Sequence, residues 1–85
     1  MHELSIALSL VDAVCDELPR LGERVSVRRV VIRVGALSGV VPAALKFAYD
    51  VATEGSPIAG SGLDIEEVAG RVLELKGVEV VDANR

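Results

Sequence analysis

From Leu4 to Leu18 the apolar residues Leu4, Ala7, Leu8, Val11, Val14, Cys15 and Leu18 recur at helical spacing. Asp12, Asp16 and Glu17 fall off that stripe, so the pattern predicts an amphipathic helix, ended or bent near Pro19, with Gly22 beyond it. The period then changes. "VSVRRVVIRV", Val25–Val34, is β-branched and reads as a strand with Val30, Ile32 and Val34 on one face and Arg29, Val31 and Arg33 on the other. After the loop "GALSG", Pro42 opens a second helix running to about Glu54 and stopped by Gly55. Leu45, Ala48, Tyr49 and Ala52 share a face there, with Phe47 and Val51 adjacent, so this helix is apolar over most of its girth. The stretch "GSPIAGSG" is a loop by composition.

Two further strands are expected, roughly Leu63–Val68 and Arg71–Val81. In the last, Leu73 and Leu75 alternate in one phase and Val78 and Val80 in the opposite one. Gly77 lies between them, so either a bulge resets the register or both faces are partly covered. Only Ala69-Gly70 separates the two strands, which predicts a tight hairpin. The order is α-β-α-β-β. The expected class is α+β, with two helices packed on one face of a three-stranded sheet and the last two strands a hairpin.

Length makes this one domain, residues 1–85. Hydrophobic residues are 51% of the chain but aromatics only 2%, so the core must be built from Val, Leu, Ile and Ala. A net charge of −4, with Arg28, Arg29 and Arg33 as the sole basic cluster, argues against nucleic acid. No apolar run reaches the roughly 18 residues that span a bilayer, and no basic n-region precedes a cleavage site. A single cysteine, Cys15, fits a reducing compartment, and the cytoplasm is the expected location. Cys15 lies on the helical stripe and reads as a small buried hydrophobe.

No catalytic residue is legible. One His and one Cys make no nucleophile–base pair, the glycines match no phosphate loop, and Ser38 lacks a strand–elbow–helix setting. Asp64, Glu66 and Glu67 read as the solvated face of an edge strand rather than a metal patch.

The only histidine stands in "MHE", at the chain start. A terminal histidine is ordinarily part of a frayed end. Its chemistry allows more. The Met1 amine and the His2 amide nitrogen close a five-membered ring on a metal, and that amide and the His2 Nδ1 close a six-membered one. Nitrogen donors in a plane suit nickel(II) or copper(II). The shared amide must lose its proton, so binding should strengthen as pH rises. The Glu3 amide or carboxylate, a water, or a partner's ligand is left to fill the fourth corner.

"MHELSIALSLVDAV", the block from "VVIRVGALSGVV" through "GSGLDIEEV", and the tail "LELKGVEVV" resemble the HypA/HybF family of nickel chaperones for NiFe-hydrogenase maturation. The resemblance implies the two-helix, three-strand nickel domain, with Ni(II) on Met1, His2 and Glu3. It implies work beside a HypB-type GTPase and delivery to a hydrogenase large-subunit precursor. Members carry a zinc ribbon with two CxxC pairs between the last two strands. This chain has Ala69-Gly70 there and no such cysteines, so no zinc is expected. A metal-free interaction module is the alternative function. A long Val-rich last strand leaves monomer or strand-exchanged dimer open.

Overall fold

The strand β1 (Val25–Gly35) is the middle of the sheet, and the rest of the chain is arranged around it. The computed structural model describes residues 2–22 and 24–82. Before β1 comes the helix α1 (Glu3–Leu21); after it come α2 (Pro42–Thr53), β2 (Gly62–Val68) and β3 (Leu73–Asp82). The α+β class, the element order and the three-stranded sheet match the expectation.

Val27, Val30, Ile32 and Val34 of β1 are buried and join Ala7, Val11 and Val14 of α1 and Leu45, Ala48 and Tyr49 of α2 in one core. Burial of that aliphatic face is the main stabilising term, since nothing larger than a single tyrosine contributes. Tyr49 is fully buried, and burial raises the pKa of its hydroxyl. Its phenolic group lies 2.6 Å from Ser61 Oγ, which itself donates to the Ile58 carbonyl. The one bulky polar side chain of the core is thereby satisfied.

The hairpin is corrected by the sheet order, β2-β1-β3. The last two strands are not neighbours: β2 pairs parallel with β1, and β3 pairs antiparallel on its other side. The reason is α2. A helix between β1 and β2 returns the chain to the starting end of the sheet, which favours a parallel crossover. From the end of β2 the link Ala69–Val72 passes over the last residue of β1 to reach the far edge. It is bonded there backbone to backbone: Gly35 N–H to the Val72 carbonyl (2.7 Å), Ala36 N–H to Val68 (2.8 Å) and Leu37 N–H to Gly70 (2.7 Å). Gly70, at φ +87°, makes the turn.

Pro19 neither ends nor breaks α1, which runs to Leu21. It lies in the final turn, where the missing N–H costs one bond and no helix follows to be kinked.

The phase change in β3 is a bulge. Val31 pairs with Gly77 and Ile32 with Leu75, so Lys76 is the extra residue. That insertion puts Leu73, Leu75, Val78 and Val80 on one face, toward the helices.

On the opposite face the charges pair within the sheet. Arg29 meets Asp64 at 3.1 Å, Arg33 meets Glu66 at 3.0 Å and Glu74 at 3.2 Å, and Lys76 meets Glu66 at 2.7 Å. Asp64 and Glu66 do lie on an edge strand, where Arg29 and Arg33 of β1 pair with them, while Arg28 lies 3.8 Å from Glu79 of β3. The Lys76 ammonium and then the Arg33 guanidinium hold Glu66 below its ordinary carboxyl value of 4.5. Its pairing therefore adds stability that is present above that value and is lost as pH falls through the lower folded one. In denaturation series from pH 6 to pH 3, the gap between wild type and Glu66→Gln should be constant at the upper end and close below about pH 4.5. It should shrink in high salt. A gap that widened on acidification would contradict the assignment.

Candidate metal centre

Three elements meet at the end of the molecule where α1 begins. His2 is the residue before the first helical turn, with extended backbone at φ −85° and ψ 101°, and it is exposed. Its carbonyl accepts the first helical hydrogen bond, from the Ile6 N–H at 3.2 Å. Its side chain caps nothing. An imidazole at this position is thus free of structural work.

Main-chain N–H groups in the first turn of a helix have no carbonyl partner inside that helix. They also lie at the positive end of its dipole, which eases the loss of a proton there. The segment presents an exposed imidazole beside such groups.

Glu3 is different. It is half-buried, and its Oε2 accepts a hydrogen bond from the Val41 N–H at 3.2 Å. That bond, followed by one from its own backbone N–H, holds the carboxyl below the usual carboxylate range. Val41 is the residue before α2, so Glu3 ties the start of one helix to the start of the other. The neighbouring Val40 N–H donates to Ser38 Oγ at 3.2 Å. Two successive N–H groups of the β1–α2 loop are therefore satisfied by side chains, one from the loop and one from α1.

Of the residues expected to bind metal, His2 and Glu3 are adjacent and at the surface, while Met1 lies outside the described residues. The Glu3 carboxylate already serves the loop. Among the described residues, no three side chains of His, Cys, Asp or Glu converge as a metal site. Cys15 is remote from this end: it is half-buried on α1, and burial, then Asp12 and Asp16, raises its thiol pKa. It is neither ionised nor placed to help.

A family model described as hydrogenase/urease nickel incorporation, metallochaperone, hypA, matches residues 1–74. This chain belongs to the HypA family. Hydrogenase maturation factors HypA from Desulfosudis oleivorans and Chloroflexus aurantiacus are 46% and 49% identical over 68 and 69 residues, which is 80% of this chain and 59% of each relative. The HypA of Streptomyces avermitilis is 42% identical over 71 residues, 84% of this chain and 54% of its own. The solution structure of the Ni metallochaperone HypA from Helicobacter pylori superposes with a TM-score of 0.64 at 20% identity, covering 96% of this chain and 93% of that one. That likeness concerns the fold. A HypA description speaks of incorporating a metal, not of catalysing a reaction on a substrate.

The chain spans little more than half the length of these HypA relatives. The family match ends at Glu74, just inside β3, so most of the tail "LELKGVEVV" lies outside it. Sequence reasoning did not identify Val41 and Ser38 as parts of this end of the molecule. An aliphatic residue contributing only its main-chain N–H leaves no trace in a residue pattern. Ser38 was legible only as a non-nucleophile.

Proposed function

We propose that this chain is a nickel metallochaperone module of the HypA family, which takes up Ni(II) on its N-terminal segment and passes it on during NiFe-hydrogenase maturation. The observation that carries the reading is the exposed His2 imidazole, without structural duty, beside main-chain nitrogens at a helix start. Met1 supplies the terminal amine, His2 its amide nitrogen and Nδ1. The Glu3 carboxylate keeps the segment in place through Val41. The fourth donor is then the Glu3 amide, a water or a ligand of the receiving protein. A site with ligands on a chain end suits transfer, because donors can be exchanged one at a time. By family resemblance the partners are a HypB-type GTPase and the hydrogenase large-subunit precursor.

The unit is one domain over residues 1–85, with Ala69–Val72 standing where the family resemblance places the zinc ribbon. Among the described residues no helix is long and apolar enough to cross a membrane, and the reading places the module in the cytoplasm. Because the link is closed by backbone hydrogen bonds, folding should need no zinc: a strong chelator should leave the thermal melt unchanged.

Nickel titration of the untagged protein, followed by absorption, tests the site. One equivalent should give the yellow band of low-spin planar Ni(II). His2→Ala and N-terminal acetylation should each weaken binding by at least about a hundredfold, since each removes one donor of a chelate. Binding that survives both changes would move the function to the metal-free interaction module.

A further inference from the structure

On the strands, acids and bases pair off: Arg28, Arg29, Arg33 and Lys76 meet Glu79, Asp64, Glu66 and Glu74. The helix layer is different. The carboxylates of Asp12 and Asp16 of α1 and of Asp50 and Glu54 of α2 are exposed and meet no cation among the described residues. Lys46, on the flank of α2 away from α1, offsets only part of that charge.

Apolar surface stands beside these acids. Leu4 and Leu8 of α1 and Val41, Phe47 and Val51 at α2 remain exposed, from 43% at Val51 to 73% at Phe47. Ile6 and Leu10 line the flank of α1 that faces Leu73 of β3, so Leu4 and Leu8 stand on the flank toward α2. The two helices pack side by side and start at the same end, where Glu3 is bonded to Val41. Along α1, Leu4, Leu8, Asp12 and Asp16 follow one another at intervals of four; along α2, Phe47 is followed by Asp50 and Glu54 at three and seven. On both helices, therefore, the apolar side chains come first and the acids follow on the same face.

We propose that this two-helix face docks an amphipathic helix of another protein, one whose apolar stripe is flanked by lysine and arginine. The exposed leucines, valines and Phe47 call for apolar side chains at helical spacing, which a helix laid along the seam supplies. The four carboxylates select the flanks, because only a basic segment can neutralise them. A second copy of this chain cannot supply that counter-charge, since the same face brings the same acids. An anionic bilayer or a nucleic acid is repelled by it. The docked helix would lie beside the N-terminal segment, as Leu4 is two residues from His2. Docking needs no metal, so this inference stands or falls separately from the nickel reading.

Three synthetic peptides of about 18 residues test it. Two carry leucine at helical spacing, one with lysine and one with glutamate elsewhere; the third scrambles the lysine peptide so that its leucines form no stripe. Fluorescence anisotropy with the untagged, metal-free protein should show the lysine peptide binding with a Kd of roughly 1–100 µM, and the other two at least about tenfold more weakly. Added salt should weaken that binding. Phe47→Ala should weaken it by about tenfold or more while the thermal melt stays as in wild type. The double variant Asp50→Lys, Glu54→Lys should close most of the gap between the lysine and glutamate peptides, and lysine near the end of a helix does not cost stability there. Three results would each overturn the proposal: no binding of the lysine peptide, equal binding of the scrambled one, or binding that Phe47→Ala leaves intact.

Discussion

Gly35→Ala should destabilise the domain by about 3 kcal/mol or more, a large part of the roughly 5–10 kcal/mol expected for a chain of this size. The reason is local and steric. A Cβ at Gly35 would stand 2.6 Å from the Gly70 carbonyl carbon and 2.8 Å from the Val72 nitrogen, and closer still to the Gly70 oxygen. All of these are backbone atoms, so no side chain can rotate away. The link must lift, and the bonds from Gly35 to Val72 and from Leu37 to Gly70 are lost with it. Denaturant titration reads the stability, and amide exchange at Gly35 and Leu37 reads the link. Both amides should exchange orders of magnitude faster in the variant, if it folds at all. A midpoint like that of wild type would show that the crossover does not rest on β1.

Leu45→Ala and Phe47→Ala, two substitutions on the same helix, should differ by several kcal/mol. Leu45 is fully buried against the sheet, and truncating it leaves a cavity in a core with few large side chains, at a cost of about 2–5 kcal/mol. Phe47 is 73% exposed, and its loss should change stability by less than about 0.5 kcal/mol. Parallel thermal and chemical denaturation of the two variants checks both. Equal losses would mean that the outer face of α2 is covered in solution.

That contrast shows why part of the fold is legible in residue order and part is not. α2 carries Ala43, Ala44, Phe47 and Val51 on its outer side beside Leu45, Ala48 and Tyr49 on its inner one. Only Lys46 and Asp50 mark its outer side, a narrow polar strip among exposed apolar residues, yet Leu45, Ala48 and Tyr49, the face the spacing groups, are the buried ones. What the spacing does not show is that Tyr49 enters the core with its hydroxyl on Ser61. In α1 the stripe is buried at Ala7, Val11 and Val14, but Leu4 and Leu8, expected on it, are each 48% exposed.

β1 was readable for the same reason as α1. From Arg29 to Val34 arginine alternates with valine and isoleucine and the two faces separate as the period demands, while a register shift between Val27 and Arg29 lets Val27 be buried as well. The bulge in β3 was also visible, as a change of phase around Gly77. Strand pairing was not. A two-residue spacer between strands is the local signature of a hairpin, and local chemistry permits one here. What excludes it is a relation between distant parts: α2 returns the chain so that β2 lies parallel to β1, leaving the far edge for β3. Gly35 makes that passage possible, and its glycine has meaning only once Gly70 is known to lie on it.

The proposed metal centre divides along the same line. By itself the sequence offers the donors of "MHE", because chelate rings are counted along the chain and depend on covalent bonds alone. It determined the elements too, through period and glycine, and the family through three ordered blocks. Only the tertiary structure decided that the Glu3 carboxylate is engaged by Val41, and that the His2 side chain does not cap the helix it precedes. That bond joins positions 38 residues apart, and no periodicity connects them. Covalent proximity can be read from sequence, whereas contact between distant residues is settled by the packing that brings them together.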